Sequence, residues 1–200
     1  MPVRCVFCGT RTRDGEHYIC DGCDADLPRV ESPPPPASSP CVHEIAPLAY
    51  EFPVDAAIKA LKFRRKLFYV PAFAQLLCDA CSTLPSDIDA VLPVPLHWRR
   101  RWIRGFNQAL ELARPVARHL DVPIVTNVVR SRATRSQSGL HARERAGNLR
   151  SAFGMRGKPA GEHLLIVDDV ITTGATIHEI AQMLRRAGVP RISALAAARA

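Results

Sequence analysis

LLIVDDVITTGAT, residues 164–176, decides the fold. Leu164 to Val167 is short and wholly apolar, which reads as a strand buried on both faces of a parallel sheet. Asp168 and Asp169 end the run, and a small polar turn follows, Thr172-Thr173-Gly174-Ala175-Thr176. Beyond the turn Ile177, Ile180, Ala181 and Leu184 recur at spacings of three and four, as on one face of a helix. Strand, acidic pair, turn and helix together predict a ligand site at the carboxyl end of a parallel strand.

The residue types narrow the ligand. Gly174 lets the backbone turn tightly and approach a ligand closely. Amides at the start of a helix lack partners and favour an anion, most often a phosphate. Two carboxylates would repel a phosphate, so they face something else, and the vicinal hydroxyls of a ribose donate well to carboxylates. A ribose 5-phosphate group satisfies both halves. The alternative is a buried strand ending in a solvated acidic turn, but a double Asp followed by TTGxT is more specific than a lone glycine turn. The stretch resembles the motif by which type I phosphoribosyltransferases bind 5-phosphoribosyl 1-diphosphate (PRPP). That resemblance implies Asp168 and Asp169 as the catalytic pair on the ribose 2- and 3-hydroxyls, and Thr172, Thr173, Gly174, Ala175 and Thr176 as the cradle of the 5-phosphate.

Composition agrees with one α/β domain and a small appendage: 200 residues, 47% apolar. A net charge of +8 and a pI near 9.5 point to anionic partners such as nucleotides, pyrophosphate or nucleic acid. Only Lys59, Lys62, Lys66 and Lys158 are Lys; the other basic residues are Arg, which suits bidentate phosphate contacts. No apolar run approaches the ~18 residues of a membrane span, so membrane insertion is not expected. The Met-Pro-Val-Arg-Cys start carries no signal-peptide core, and a cytoplasmic protein with reduced thiols is expected.

Three regions are expected: a zinc knuckle at 1–30, a Pro-rich linker at 31–41 and the main domain at 42–200. Cys5-x-x-Cys8 and Cys20-x-x-Cys23 can close a tetrahedral thiolate site for structural Zn2+, which would supply much of the folding energy of so short a segment. A disulfide framework or a redox pair is the alternative. Residues 31–40 contain four consecutive Pro and form a semi-rigid spacer, and Cys41 reads as a small buried thiol. Residues 53–83 read as two helices, the first with Val54, Ala57, Ile58 and Leu61 on one face, the second with Phe73, Leu76, Leu77 and Ala80. Between them the basic run Lys62 to Lys66 is either a solvated face or the wall of an anion site. Cys78 and Cys81 read as core thiols.

Residues 90–96 read as a strand entering a Pro-fixed loop, followed by Arg99, Arg100, Arg101 and Arg104 around Trp98 and Trp102. These arginines suit a pyrophosphate clamp or a nucleic-acid stacking platform, and their place at a strand end favours the clamp. Asn107 is expected to cap a helix running to about Leu120, which Pro115 would shorten or kink. Residues 122–130 hold another apolar run. Residues 131–148, basic and poor in large apolar groups, read as a flexible lid carrying Arg135 and Arg145, or as a connector. Gly188-Val189-Pro190 stops the last helix, and Ile192 to Ala197 is the final strand.

Taken together, the VPVPL-type segment, RGFNQA (Arg104 to Ala109), the Arg130–Thr134–Gln137–Leu140 spacing with Arg145, Asn148 and Phe153, and VDDVITTGAT (Val167 to Thr176) resemble the ComF (competence protein F) family, as does the four-cysteine start. The resemblance implies a type I phosphoribosyltransferase fold: a parallel sheet flanked by helices, with a variable hood. It implies PRPP with Mg2+, pentosyl transfer with pyrophosphate release, and a link to DNA uptake in natural transformation. Purine-salvage relatives carry an Asp at the position of Thr172, so purine salvage is not expected, and the acceptor is left unnamed. Nor is a catalytic Cys with a glutaminase domain found ahead of this one, so glutamine-dependent transfer in cis is not expected. Two readings stand: a working transferase, or a non-catalytic PRPP sensor that binds single-stranded DNA and competence-machinery proteins. Oligomeric state is not readable from the sequence.

Overall fold

The computed structural model describes residues 3–12, 17–96, 105–130 and 152–200. In chain order a short helix α1 (Asp21–Ala25) precedes strands β1 (His43–Ile45) and β2 (Leu48–Ala49). Helix α2 (Val54–Arg64), a 3-10 turn (Leu67–Tyr69) and helix α3 (Val70–Ala80) lead to β3 (Ala90–Pro93). Helix α4 (Gln108–His119), β4 (Val128–Arg130), β5 (Phe153–Met155), β6 (His163–Ile171), α5 (Ala175–Arg186) and β7 (Arg191–Arg199) complete it.

The sheet has the order β1-β7-β6-β3, with β2 also on β7, and every pairing is parallel. Helices cover both faces, so the central strands must be apolar on both, and Leu164, Leu165, Ile166 and Val167 are all buried. Leu165 and Val167 pack with Ile58, Phe73, Leu77 and Leu112 from α2, α3 and α4. Leu164 and Ile166 pack on the opposite face with Ile177, Ile180 and Leu184 of α5. Truncating a side chain as enclosed as Leu165 to Ala costs about 2–5 kcal/mol through lost contacts and the cavity left behind.

Strand β6 corrects one expectation, because it does not end at Val167 but runs through the acidic pair to Ile171. Its neighbour β7 continues alongside and supplies the ladder, pairing Asp168 with Ala196 and Ile171 with Arg199. On the other side β3 ends at Pro93, opposite Val167, and Val94 donates the last amide bond across to the Val167 carbonyl. Asp168 and Asp169 therefore lie in a strand with one neighbour present and the other gone. That notch positions the site.

The two helices expected in residues 53–83 form, with the expected faces buried. Cys41 and Cys81 are buried thiols whose desolvation pushes each up to about 12. Asn107 occupies the N-cap position of α4 but does not cap it; its Nδ2 instead donates to the Val94 carbonyl at 3.1 Å, tying the helix start to the end of β3. Pro115 does not shorten α4, which runs on to His119.

The N-terminal segment docks on the main body. Cys5, Ile19 and Leu27 share a core cluster with α2, α3 and α4, and the Phe7 ring lies 6.1 Å from that of Tyr69. In the Pro-rich stretch Ser32 Oγ accepts from the Ala46 amide at 2.9 Å and Ser39 Oγ donates to Glu44 Oε1 at 2.7 Å.

Candidate functional site

The notch opens into a cleft of about 1140 Å³. Its floor is the stretch that opened the sequence reading: Asp168, Asp169 and Thr172 to Thr176 all line it. Gly174 is the N-cap of α5 with φ 72, a left-handed conformation that glycine adopts without strain. The first helical bond runs from the His178 amide to the Gly174 carbonyl. A Cβ added at Gly174 would sit 3.1 Å from the His178 ring, so the turn rests directly on that side chain. His178 Nε2 in turn lies 2.7 Å from Oε1 of buried Glu44 on β1, whose carboxyl is held below its ordinary range mainly by this bond. The underside of the turn is thus moored to the sheet edge.

Successive strand residues point to opposite faces. Asp169 shares the side of Leu165 and Val167, is 7% exposed, and pairs with Lys62 Nζ of α2 at 2.9 Å. Asp168 Oδ1 accepts the Asp169 amide at 2.8 Å. Burial, and then the Asp169 charge, push the Asp168 carboxyl up to about 7, with Lys62 and Arg130 pulling the other way. A carboxylate that crowds a second one at the floor of a cleft is poised to accept hydrogen bonds from a polyol or to neutralise a cation.

The basic run Lys62 to Lys66, open between solvated face and wall, begins in the last turn of α2 and is partly both: Lys62, Arg64 and Arg65 line the cleft with Lys59 and Phe63, while residues 63–66 are solvent-exposed. Arg65 has φ 54, and its guanidinium covers Gly105 so closely that a Cβ there would meet it at 2.5 Å. Opposite, Val94, Pro95 and Leu96 lead out of β3, and Asn107, Gln108 and Ala109 open α4. Gln108 is 1% exposed, and neither its Nε2 nor Asn107 Oδ1 has a partner among the described residues. Two uncompensated polar groups at a cleft wall are what a polar ligand would satisfy. Arg130, at the end of β4, also lines the cleft, with its guanidinium 5.3 Å from the Phe153 ring centroid.

Several expected site residues lie outside the described residues: Arg99, Arg100 and Arg101 of the pyrophosphate loop, and Arg135 and Arg145 of the lid. Others were missed. Lys62 had a signal, since it follows buried Leu61 and sits one turn from buried Ile58, at the margin of the inward face. Gln108 had its place in the RGFNQA segment, but Glu44 and His178 had no signal, because only the folded chain brings them together under the turn.

At the N terminus the thiols of Cys5, Cys8, Cys20 and Cys23 lie within 4.8 Å of one another, with Cys8 and Cys20 3.5 Å apart. Tetrahedral Zn–S bonds of about 2.3 Å place sulfurs about 3.8 Å apart, so the cluster fits such an ion. Gly9, at φ 77, makes the turn behind Cys8, and α1 carries Cys23 back toward the others.

A helix-flanked parallel sheet with an acidic pair and a glycine turn at its notch defines a phosphoribosyltransferase-type domain, and residues 107–199 match the phosphoribosyl transferase domain family. The chain is also similar to Competence protein F of Haemophilus influenzae, 31% identical over 98% of this chain and 97% of that protein. DNA utilization protein YhgH of Escherichia coli K12 is 37% identical over 94% of this chain and 80% of that protein. The chain belongs to the competence protein F family, ComF. Among solved structures, purine phosphoribosyltransferase from Pyrococcus horikoshii overlaps 78% of each chain at 18% identity and a TM-score of 0.37, too loose for residue-level comparison.

Proposed function

We propose that the cleft binds PRPP with Mg2+ and that the protein transfers its phosphoribosyl group to a nitrogen acceptor, releasing pyrophosphate. The observation that carries this reading is the acidic pair followed directly by the Gly174 turn, facing a wall of cations across one cleft. Asp168 and Asp169 accept from the ribose hydroxyls, and Thr172 to Thr176 hold the 5-phosphate. The pyrophosphate lies toward Gln108 and the α2 cations, and we assign Arg99, Arg100 and Arg101 to its clamp and Arg135 and Arg145 to the lid from the sequence alone.

In the transfer the bond from the anomeric carbon to pyrophosphate breaks, a bond to the acceptor nitrogen forms, and the acceptor's proton leaves to solvent. Positive charge grows on the ribose beside the Asp pair, while negative charge grows on the leaving group beside the cations. Mg2+, when bound, neutralises pyrophosphate. Asp168 and Asp169 are the only carboxylates among the described cleft residues, which suits an ion held mostly by substrate oxygens and water rather than by a protein cage. The four knuckle cysteines hold one structural Zn2+. The names of the relatives, Competence protein F and DNA utilization protein YhgH, support a role in competence or DNA use, which we place in the cytoplasm among competence-machinery proteins. Among the described residues no helix is long and apolar enough to cross a membrane.

A second reading has its own support. Phe52, Phe63 and Phe68 are 82%, 68% and 51% exposed, Arg64 follows Phe63 in the chain, and Lys66 lies 6.0 Å from the Phe68 ring centroid. Aromatic faces among cations suit unpaired bases, as in a PRPP sensor that binds single-stranded DNA. Pyrophosphate release from PRPP and Mg2+, over a panel of acceptors including ammonia and nitrogen heterocycles, separates the two. Acceptor-dependent release supports the transferase; tight PRPP binding without release supports the sensor.

A further inference from the structure

The cations of the α2 wall are not equivalent. Lys59 is held by Asp55 at 2.6 Å, Arg65 lies over Gly105, and Lys66 lies 6.0 Å from the Phe68 ring centroid. Lys62 reaches into the notch, its Nζ 2.9 Å from Asp169 Oδ1, with the two side chains only 20% and 10% exposed. We propose that Lys62 is a positioning residue for the ribose-binding pair: it holds Asp169 aimed into the cleft before ligand arrives, then yields the carboxylate to the ribose hydroxyls and turns its own charge to a phosphate oxygen. The proposal rests on the PRPP reading above.

Three observations support it. Adjacent carboxylates in a half-buried notch repel each other, and a resident cation offsets part of that repulsion before a ligand arrives. The backbone of α2 is fixed by Val54, Ile58 and Leu61, all fully buried, so Nζ is delivered to one place while its four-carbon stem can still swing. The cation is also Lys in a chain with four Lys among 27 basic residues. An ammonium makes an exchangeable point contact, where a guanidinium would lock the carboxylate bidentately and resist displacement. The charged groups lining the cleft with the pair are Lys59, Lys62 and Arg64 from α2, Arg65 just after it and Arg130 from β4, with Tyr50 after β2 as a further titratable group. Arg199 of β7 and His178 of α5 are engaged by Glu44. Lys62 is among the influences that oppose the upward displacement of Asp168.

The test uses the full zinc-loaded chain and two readouts. In ligand-free protein carrying 13C-labelled Asp, the carboxyl titration of the pair is followed by NMR for the wild type, Lys62→Met, Lys62→Gln and Lys62→Arg. PRPP affinity with Mg2+ is measured by calorimetry from pH 6 to 8.5. Loss of the cation should raise the midpoint of the pair by about one pH unit or more, since an opposite charge at this range is worth about one to three units. PRPP affinity at pH 7 should fall about tenfold or more and recover as pH rises. Lys62→Arg should restore the midpoint, which a purely structural role would not require. An unmoved midpoint in a folded Met or Gln variant overturns the proposal. A midpoint that moves while the wild type binds no PRPP upholds the Lys62–Asp pairing, overturns its hand-over to ribose, and refutes the PRPP reading separately.

Discussion

Gly174→Ala puts the ligand turn under a measurable load. The residue sits at φ 72, where an L side chain costs about 1–2 kcal/mol, and the new Cβ would stand 3.1 Å from the His178 ring. His178 cannot retreat freely, because its Nε2 is bonded to buried Glu44 at 2.7 Å. The lower entropy of Ala in the unfolded chain recovers only part of this, about 0.4–1 kcal/mol at positions where the geometry suits Ala, which this one does not. For a chain of this length each kcal/mol moves Tm by about 2–4 °C, so a loss of about 2–8 °C is expected if the turn keeps its shape. If it relaxes instead, stability recovers and PRPP affinity falls. Gly188→Ala is the matched control: it has φ 95, nothing within 4 Å of its added Cβ, and no place in the cleft. It should lose stability by a similar amount and leave PRPP affinity alone. Thermal unfolding and calorimetry on both variants decide the matter. If Gly174→Ala changes neither Tm nor affinity, the turn is not the glycine-dependent phosphate cradle that we propose.

The ionisation of Asp168 gives a pH prediction. Its folded value, about 7, lies above the ordinary 3.8, so its contribution to stability is full below about pH 4 and lost as pH rises through about 7. Asp168→Asn should therefore be more stable than the ligand-free wild type at pH 8 in urea unfolding, and that advantage should shrink toward pH 5. Elemental analysis of protein purified without chelator should find one zinc per chain, lost in Cys20→Ser, with Phe7 and Tyr69 becoming accessible to quenchers. Asp87, His163 and Ser193 form a hydrogen-bonded relay at 2.8 and 2.9 Å that has the look of a nucleophile system, but Ser193 is fully buried at the opposite end of β6 from the cleft. Ser193→Ala should cost about 1–3 kcal/mol for the buried His163 Nε2 left without its partner, Nδ1 keeping Asp87, and leave PRPP affinity unchanged.

The sheet and the glycine turn were legible because their causes are local. An unbroken apolar run, a double Asp, a glycine turn and a helical apolar stripe lie within one stretch, and the structure keeps them in that order. The end of β6 was not legible, because what extends it past the acidic pair is β7 pairing as far as Arg199, a neighbour distant in sequence. The same holds for Lys62: its helix could be read from Val54, Ile58 and Leu61, but not the carboxylate waiting for it. Asn107 had the right residue type and position for a cap, yet the Val94 carbonyl at 3.1 Å took its side chain. The cysteine spacing announced the knuckle, whereas its seat against Tyr69 and the core of α2, α3 and α4 depends on the tertiary fold.

The central claim is that the acidic pair and the Gly174 turn form a PRPP site. Calorimetric titration of PRPP with Mg2+ into the wild-type chain and into an Asp168→Asn, Asp169→Asn double variant tests it most directly, with folding of the variant checked by circular dichroism. Saturable binding at one site per chain, lost by about a hundredfold or more in the double variant, is the predicted result; two carboxylates exchanging hydrogen bonds with a ribose at about 1.5–3 kcal/mol each set that scale. Absence of binding to the wild type, or equal affinity in the folded double variant, would contradict it.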